Sequence, residues 1–320
     1  MKDLLSVGTP AQALDLLALP LPRLMERAAA LREAAFGRRI VLCAIINARS
    51  GNCAMDCRFC SQSRHNHTPI DVFPLLSDQE LRGRILHLAT LPVAHIGVVT
   101  SGAALSGEEF ARLRALIAGL PAEVRPRVCA SLGRLTEAQL TELAAAGLGR
   151  YHHNLETSRA YYSRVCTTQT WEQRRETVLR GMRAGFTACT GGLFGLGESW
   201  EDRVAFAFSL KELGVRQVPM NFLHPHPQTP LAGQKPLSAE EALRIVAVFR
   251  HILPTATLRI CGGRPLVLGE RQAEVFAAGA NALMTGDYLT THGQGLENDL
   301  QMLADLGLEV DGDGVCAAAS

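Results

Sequence analysis

The feature that most constrains this chain is a repeat of short β-rich runs separated by segments of helical period. The runs are 39–47 (RIVLCAIIN), 95–101 (HIGVVTS), 127–133 (RVCASLG), 150–157 (RYHHNLET), 187–195 (TACTGGLFG), 217–223 (QVPMNFL), 257–263 (TLRICGG) and 282–288 (ALMTGDY). Between them, segments such as 136–146, 199–213 and 238–252 repeat apolar residues with the 3.6-residue period of an amphipathic helix. Ser77, Ser106, Thr136, Ser199 and Ser238 sit where helix N-caps belong. Gly147, Gly185, Gly214 and Gly279 fall just before the next strand, the place of a left-handed C-cap. Eight strands alternating with helices predict an α/β fold, a (β/α)8 TIM-type barrel. A doubly wound open sheet is the competing architecture.

No Pro-, Gly- or Ser-rich linker divides the repeat, so residues 39–310 read as one barrel. Residues 1–38 read as a helical leader, with the Thr9 hydroxyl as cap and Pro10 at the first helical position. Residues 311–320 (DGDGVCAAAS) read as a flexible tail in which Cys316 is incidental. At 320 residues and 47% hydrophobic content the chain is long enough for such a barrel, which commonly takes about 250 residues.

The formal net charge is +1 and basic residues are scattered, so neither nucleic acid nor an anionic membrane is an expected partner. No run approaches the roughly 20 apolar residues of a membrane span. The start, MKDLLSVGTPAQ, makes a poor signal peptide, and a cytoplasmic location is expected. The nine cysteines are an odd count without an export signal, which favours metal or redox chemistry over disulfides.

Three of them form Cys53-x3-Cys57-x2-Cys60, reached from the first strand through Ser50-Gly51-Asn52. A loop at the C-terminal end of a strand is where barrel active sites are built. Structural zinc sites use four ligands, so three close cysteines suit zinc poorly. They suit a four-iron cube whose fourth iron has no protein ligand, an open position of the catalytic kind.

This spacing resembles that of the radical S-adenosylmethionine superfamily. The resemblance implies a [4Fe–4S] cluster on Cys53, Cys57 and Cys60 whose open iron chelates S-adenosylmethionine. Electron transfer from the cluster then yields methionine and a 5′-deoxyadenosyl radical, with Phe59 stacked near the adenine. Taken together, SGNCAMDCRFCSQS, YHHNLETS, CTTQTWEQR, GGLFGLGE, VPMNFL, RICGGR and YLTT are similar to the biotin synthase family, in family order across nearly the whole barrel. That family inserts sulfur into dethiobiotin and takes the sulfur from a second, sacrificial iron–sulfur cluster inside the barrel. The resemblance implies dethiobiotin as substrate, an electron donor such as flavodoxin or ferredoxin, and a homodimer.

A second cluster demands thiolates that converge from several strands. Cys43, Cys129, Cys189 and Cys261 lie on the first, third, fifth and seventh strands, and barrel interiors are layered by alternate strands. The common family pattern is a [2Fe–2S] cluster on three cysteines and an arginine. Arg259 fills the arginine position, but the second strand carries no cysteine, and Cys43 and Cys261 are extra. This departure is similar to a variant branch from anaerobes, and leaves open a [2Fe–2S] or a four-iron second cluster. Cys166, off this set, reads as structural.

The resemblance further implies Asn154 and Glu156 at the cofactor ribose, with Asn154 also reaching the ureido ring. On a strand, residues two apart share a face. It places Arg174 near the cofactor carboxylate, Asn221 at the ureido ring, and Thr290 and Thr291 at the substrate carboxylate. Gly191 and Gly192 would allow the cofactor to approach the backbone closely. His152 stands where many relatives have asparagine. His153 is either a satisfied strand histidine or a site residue. His224-Pro225-His226-Pro227 reads as a lid loop with no assigned role. Two rivals remain: another radical enzyme on the same barrel, of the hydrogenase-maturase or methylornithine-synthase type, and a non-catalytic iron–sulfur carrier.

Overall fold

The structure, a computed structural model, describes residues 7–312. The tail expected beyond that point, with Cys316, lies outside the described residues. The strands are β1 Arg39–Arg49, β2 His95–Thr100, β3 Val128–Ser131, β4 Arg150–His152, β5 Thr187–Cys189, β6 Gly192–Phe194, β7 Gln217–Phe222, β8 Thr257–Ile260, β9 Ala282–Met284 and β10 Glu309–Val310. Every pairing between them is parallel, and β1 pairs with both β2 and β9, which closes the sheet into a barrel. Cys43 on β1 is in register with His95 of β2 on one side and Met284 of β9 on the other. The expected (β/α)8 barrel is therefore present, and the open sheet is excluded.

The helices are α1 Pro10–Asp15, α2 Leu21–Phe36, α3 Asp78–Ala89, α4 Gly107–Ala118, α5 Glu137–Ala145, α6 Trp171–Arg183, α7 Trp200–Glu212, α8 Ala239–Ile252, α9 Arg264–Leu268, α10 Glu274–Ala277 and α11 Leu296–Asp305. All five expected Ser and Thr caps accept a backbone N–H three residues on, satisfying a donor that the helix itself leaves unpaired. Thr9 caps α1 in a capping box with Gln12. The main core lies between barrel and helices. On β1, Ile40, Leu42, Ala44, Ile46 and Ala48 join it, whereas Val41 and Cys43 pack in a separate interior cluster with Ala94 and Ala282. That alternation is the period of two of a strand. Helix α8 is buried from Ala242 to Ile252 except at Arg244, because α2 covers the side turned away from the barrel.

The expected runs differ from the strands at their ends, most after β3, β8 and β9, and the fourth and fifth runs depart further. The fifth run splits into β5 and β6, which pair with β7 on either side of Gly191, where a Cβ would sit 1.8 Å from the Pro219 carbonyl oxygen. The fourth run leaves the sheet after His152. Glu156 takes a left-handed φ of 72° and rejoins only through a single bridge to Gly192. Among the described residues no helix is long and apolar enough to cross a membrane.

Candidate active site

The cysteine loop leaves β1 and turns back under a dense set of backbone contacts. Cys53 N–H donates to Gln62 O at 3.0 Å, Arg64 N–H to Cys53 O at 2.9 Å and Cys60 N–H to Cys57 O at 3.0 Å. Buried Asn66 donates to both Cys57 O (3.1 Å) and Cys60 O (2.8 Å). Asp56 anchors the loop to the segment after β4. Its carboxylate accepts the Thr167 N–H at 2.9 Å, the Thr168 N–H at 3.1 Å and the Thr168 hydroxyl at 2.8 Å, and also the Thr167 hydroxyl. Burial opposes its ionisation, but these bonds hold the carboxyl well below the usual range. Cys166 donates to the same carboxylate at 3.2 Å, does not line the cavity and lies within hydrogen-bond reach of Cys57.

The loop and the barrel interior line one cavity of about 490 Å³, within the range of ligand-binding pockets. Cys53, Cys57, Cys60 and Phe59 border it from the loop. Cys43, Cys129, Cys189 and Arg259 border it from the strands and Cys261 from the position just after β8, one residue beyond the strand expected to carry it, so the structure brings all four expected interior thiols to one space. Among the described residues no three His, Cys, Asp or Glu side chains converge tightly enough to hold a single metal ion. Iron–sulfur clusters make no such demand, because each thiolate binds its own iron. The donor set thus fits clusters, and the loop set offers three thiols at the cavity and no fourth.

Burial pushes the Cys60 thiol up to about 11, and Cys129 and Cys261 each up to about 12. Cys189 moves the other way. Burial would raise it, but a hydrogen bond and positive charge from His152, with Arg259, bring it to about 6. Arg259 lies 3.7 Å from the Cys189 sulfur and donates to Gln217 Oε1 at 3.1 Å, and Gln217 in turn donates to Thr257 Oγ1 at 3.2 Å.

Asn154, Glu156, Arg174, Asn221, Thr290 and Thr291 also line the cavity. Asn154 and Glu156 meet through a 3.3 Å hydrogen bond, although the strand that was expected to align them has already ended. Arg174 is no solvated helix arginine. It is mostly buried, 3.3 Å from Glu156, and donates to the Tyr162 hydroxyl at 2.7 Å and to Asn154 O at 2.8 Å. Asn221 donates to Gly192 O at 3.2 Å and accepts the Gly262 N–H at 3.1 Å. The Thr290 and Ser61 hydroxyls are 2.8 Å apart, tying the loop after β9 to the cysteine loop.

Gly191 and Gly192 pack against the chain itself. The backbone they approach closely is the protein's own, Pro219 O and Glu156 O, and neither lines the cavity. His152 and His153 both do. Burial holds His153 well below the usual histidine range, so it stays neutral. His224 to Pro227 line the cavity as well.

The sequence reading missed His95, Arg150, Gln217 and Asp56. His95 opens an otherwise apolar run, and that polar residue at the start of a strand was the available signal; Arg150 opens β4, whose run is polar throughout and gives no such contrast. Their side chains meet: a guanidinium N–H of Arg150 contacts His95 Nε2. Burial, with Arg150, Arg259 and Arg127, pushes His95 down to about 2, so its imidazole is neutral.

Residues 48–210 match the model of the radical SAM superfamily, and residues 219–309 match the biotin and thiamin synthesis associated domain. The crystal structure of methylornithine synthase superposes with a TM-score of 0.80 at 19% identity, over 95% of this chain and 94% of that one. The hydrogenase maturase HydG of Carboxydothermus hydrogenoformans gives 0.84 at 21% identity, over 98% and 78%. At such identities these neighbours speak for the fold alone. The biotin synthase of Pelotomaculum thermopropionicum is 46% identical over 86% of this chain and 85% of its own length. The biotin synthase of Desulfovibrio desulfuricans is 70% identical over 99% of this chain and 100% of its own length. A relative that matches from end to end leaves no part of the barrel to another lineage: the chain belongs to the biotin synthase family of the radical S-adenosylmethionine superfamily.

Proposed function

We propose that the protein converts dethiobiotin to biotin by inserting sulfur, with S-adenosylmethionine as cosubstrate and a reductant such as flavodoxin or ferredoxin. A [4Fe–4S] cluster is held by Cys53, Cys57 and Cys60. A second iron–sulfur cluster is held from among Cys43, Cys129, Cys189, Cys261 and Arg259. One observation carries the reading: two separate thiol sets, one on a loop and one on strands, border a single cavity. When bound, these groups supply one-electron cleavage of S-adenosylmethionine and a source of sulfur.

The chain's own residues orient the reactants. Arg174, fixed by Glu156, Tyr162 and Asn154 O, presents a positive charge for a carboxylate. The Asn221 amide is locked between Gly192 O and the Gly262 N–H, which leaves one N–H free to donate to a urea carbonyl. Asn154 is locked likewise, accepting from Gly191 N–H at 3.0 Å and donating to Glu156, again with one N–H to spare. Thr290 and Thr291 offer hydroxyl donors for the substrate carboxylate. Leu193, Phe222 and Leu223 give the wall an apolar surface that keeps water from the reacting carbons.

The test is turnover of anaerobically reconstituted protein with dethiobiotin, S-adenosylmethionine and reductant. The reading requires biotin together with 5′-deoxyadenosine. Production of 5′-deoxyadenosine without biotin would assign the site to a different radical reaction.

A further inference from the structure

We infer that His95 donates a hydrogen bond from Nδ1 to a sulfur of the second cluster and so raises that cluster's reduction potential. The inference rests on the two-cluster reading above and adds a residue to it. His95 opens β2 in register with Cys43, is 6% exposed, and lines the cavity that Cys129, Cys189 and Cys261 share. Its Nε2 faces the Arg150 guanidinium, which has only donors, so Nε2 must accept and the ring proton must sit on Nδ1. Nδ1 is fully buried and has no hydrogen-bond partner among the described residues. A buried donor without an acceptor is an exception that calls for a partner. The nearby cations, Arg150 and Arg259, offer no acceptor. An anionic sulfur, sulfide or thiolate, is the acceptor that such a site takes.

Position separates this role from substrate binding. Asn154 lies beyond the C-terminal end of β4 and Asn221 near that of β7, whereas His95 is the first residue of β2 and lies at the opposite end of its strand. His152 differs again, because its ring already bonds Cys189. Arg150 thus fixes the tautomer, and the tautomer fixes what His95 does. Hydrogen bonds to cluster sulfurs stabilise the reduced, more negative state and raise the potential. His95 is a positioning and tuning residue, not a catalytic one.

The experiment is a redox titration of the reconstituted full chain, followed by electron paramagnetic resonance and Mössbauer spectroscopy. Wild type, His95→Leu and His95→Asn are compared, the asparagine amide restoring an N–H near the position of Nδ1. The expected result is two clusters in all three. The second-cluster potential shifts downward in His95→Leu and returns toward wild type in His95→Asn. A coupling to an exchangeable proton, present in wild type, is lost in His95→Leu. Equal potentials in all three proteins would overturn the role of His95 and leave the two clusters standing. Strong nitrogen coupling in wild type would show a direct ligand and overturn the hydrogen bond. Loss of the second cluster in both variants would overturn it too, by making His95 structural. Iron for only one cluster in wild type would overturn both readings.

Discussion

The two thiol sets reach the cavity by opposite means. Cys53, Cys57 and Cys60 lie within one short loop, and its shape is held by local hydrogen bonds, Asn66 and the Asp56 anchor. Cys43, Cys129, Cys189 and Cys261 are far apart in sequence and are brought together by barrel register alone. The first set is therefore a matter of spacing and the second a matter of topology. Damage to the loop should leave the strand set intact, while damage to the barrel should cost both.

Replacing one thiol from each set gives the largest effect. Cys57→Ala should abolish S-adenosylmethionine cleavage, and with it all turnover. Cys189→Ala should retain 5′-deoxyadenosine formation but lose biotin. Measuring both products in both variants checks the division, and loss of 5′-deoxyadenosine in Cys189→Ala would break it. Next comes the barrel itself. Arg264, just after β8, and Asp299 on α11 form a fully buried ion pair at 2.8 Å. Asp299→Ala leaves an uncompensated charge and should cost about 3–5 kcal/mol. A lowered Tm and weakened loading of both clusters are the expected signs.

The smallest effect is local to the loop. Asp56→Asn removes charge-assisted bonds to Thr167 and Thr168, at a cost of about 1–2 kcal/mol once solvent screening is allowed for. The first cluster should become more labile to chelators while the second is unchanged. Because the folded state depresses the Asp56 carboxyl, its contribution is present above the usual carboxylate pKa of about 4. It is lost as the pH falls below that range. Chelation rates measured across acidic pH should rise more in wild type than in Asp56→Asn, which has no such group to protonate.

The sequence made the loop set legible at once, since Cys53, Cys57 and Cys60 need no tertiary knowledge. The strand set was legible only after the alternation had placed Cys43, Cys129, Cys189 and Cys261 on strands of one barrel. Helix ends were readable because capping is local, as at Ser77 and Ser238. What escaped was whatever depends on pairing across the barrel. His95 matters through Arg150, 55 residues away, and no local period reports that contact. The packing at Gly191 escaped for a related reason: its missing side chain answers to Pro219 on the neighbouring strand, which the sequence does not place beside it. Asn154 and Glu156 do meet, but through an irregular turn at a left-handed Glu156 and not through strand geometry.

The strand thiols are expected to hold a cluster of their own. Mössbauer spectroscopy with iron and sulfide analysis on the anaerobically reconstituted Cys53/Cys57/Cys60→Ala variant tests it most directly. Iron is expected to persist in that variant, with a spectrum that distinguishes two irons from four. A variant that folds and carries no iron would contradict it, and would leave this barrel a single-cluster enzyme with no internal source of sulfur.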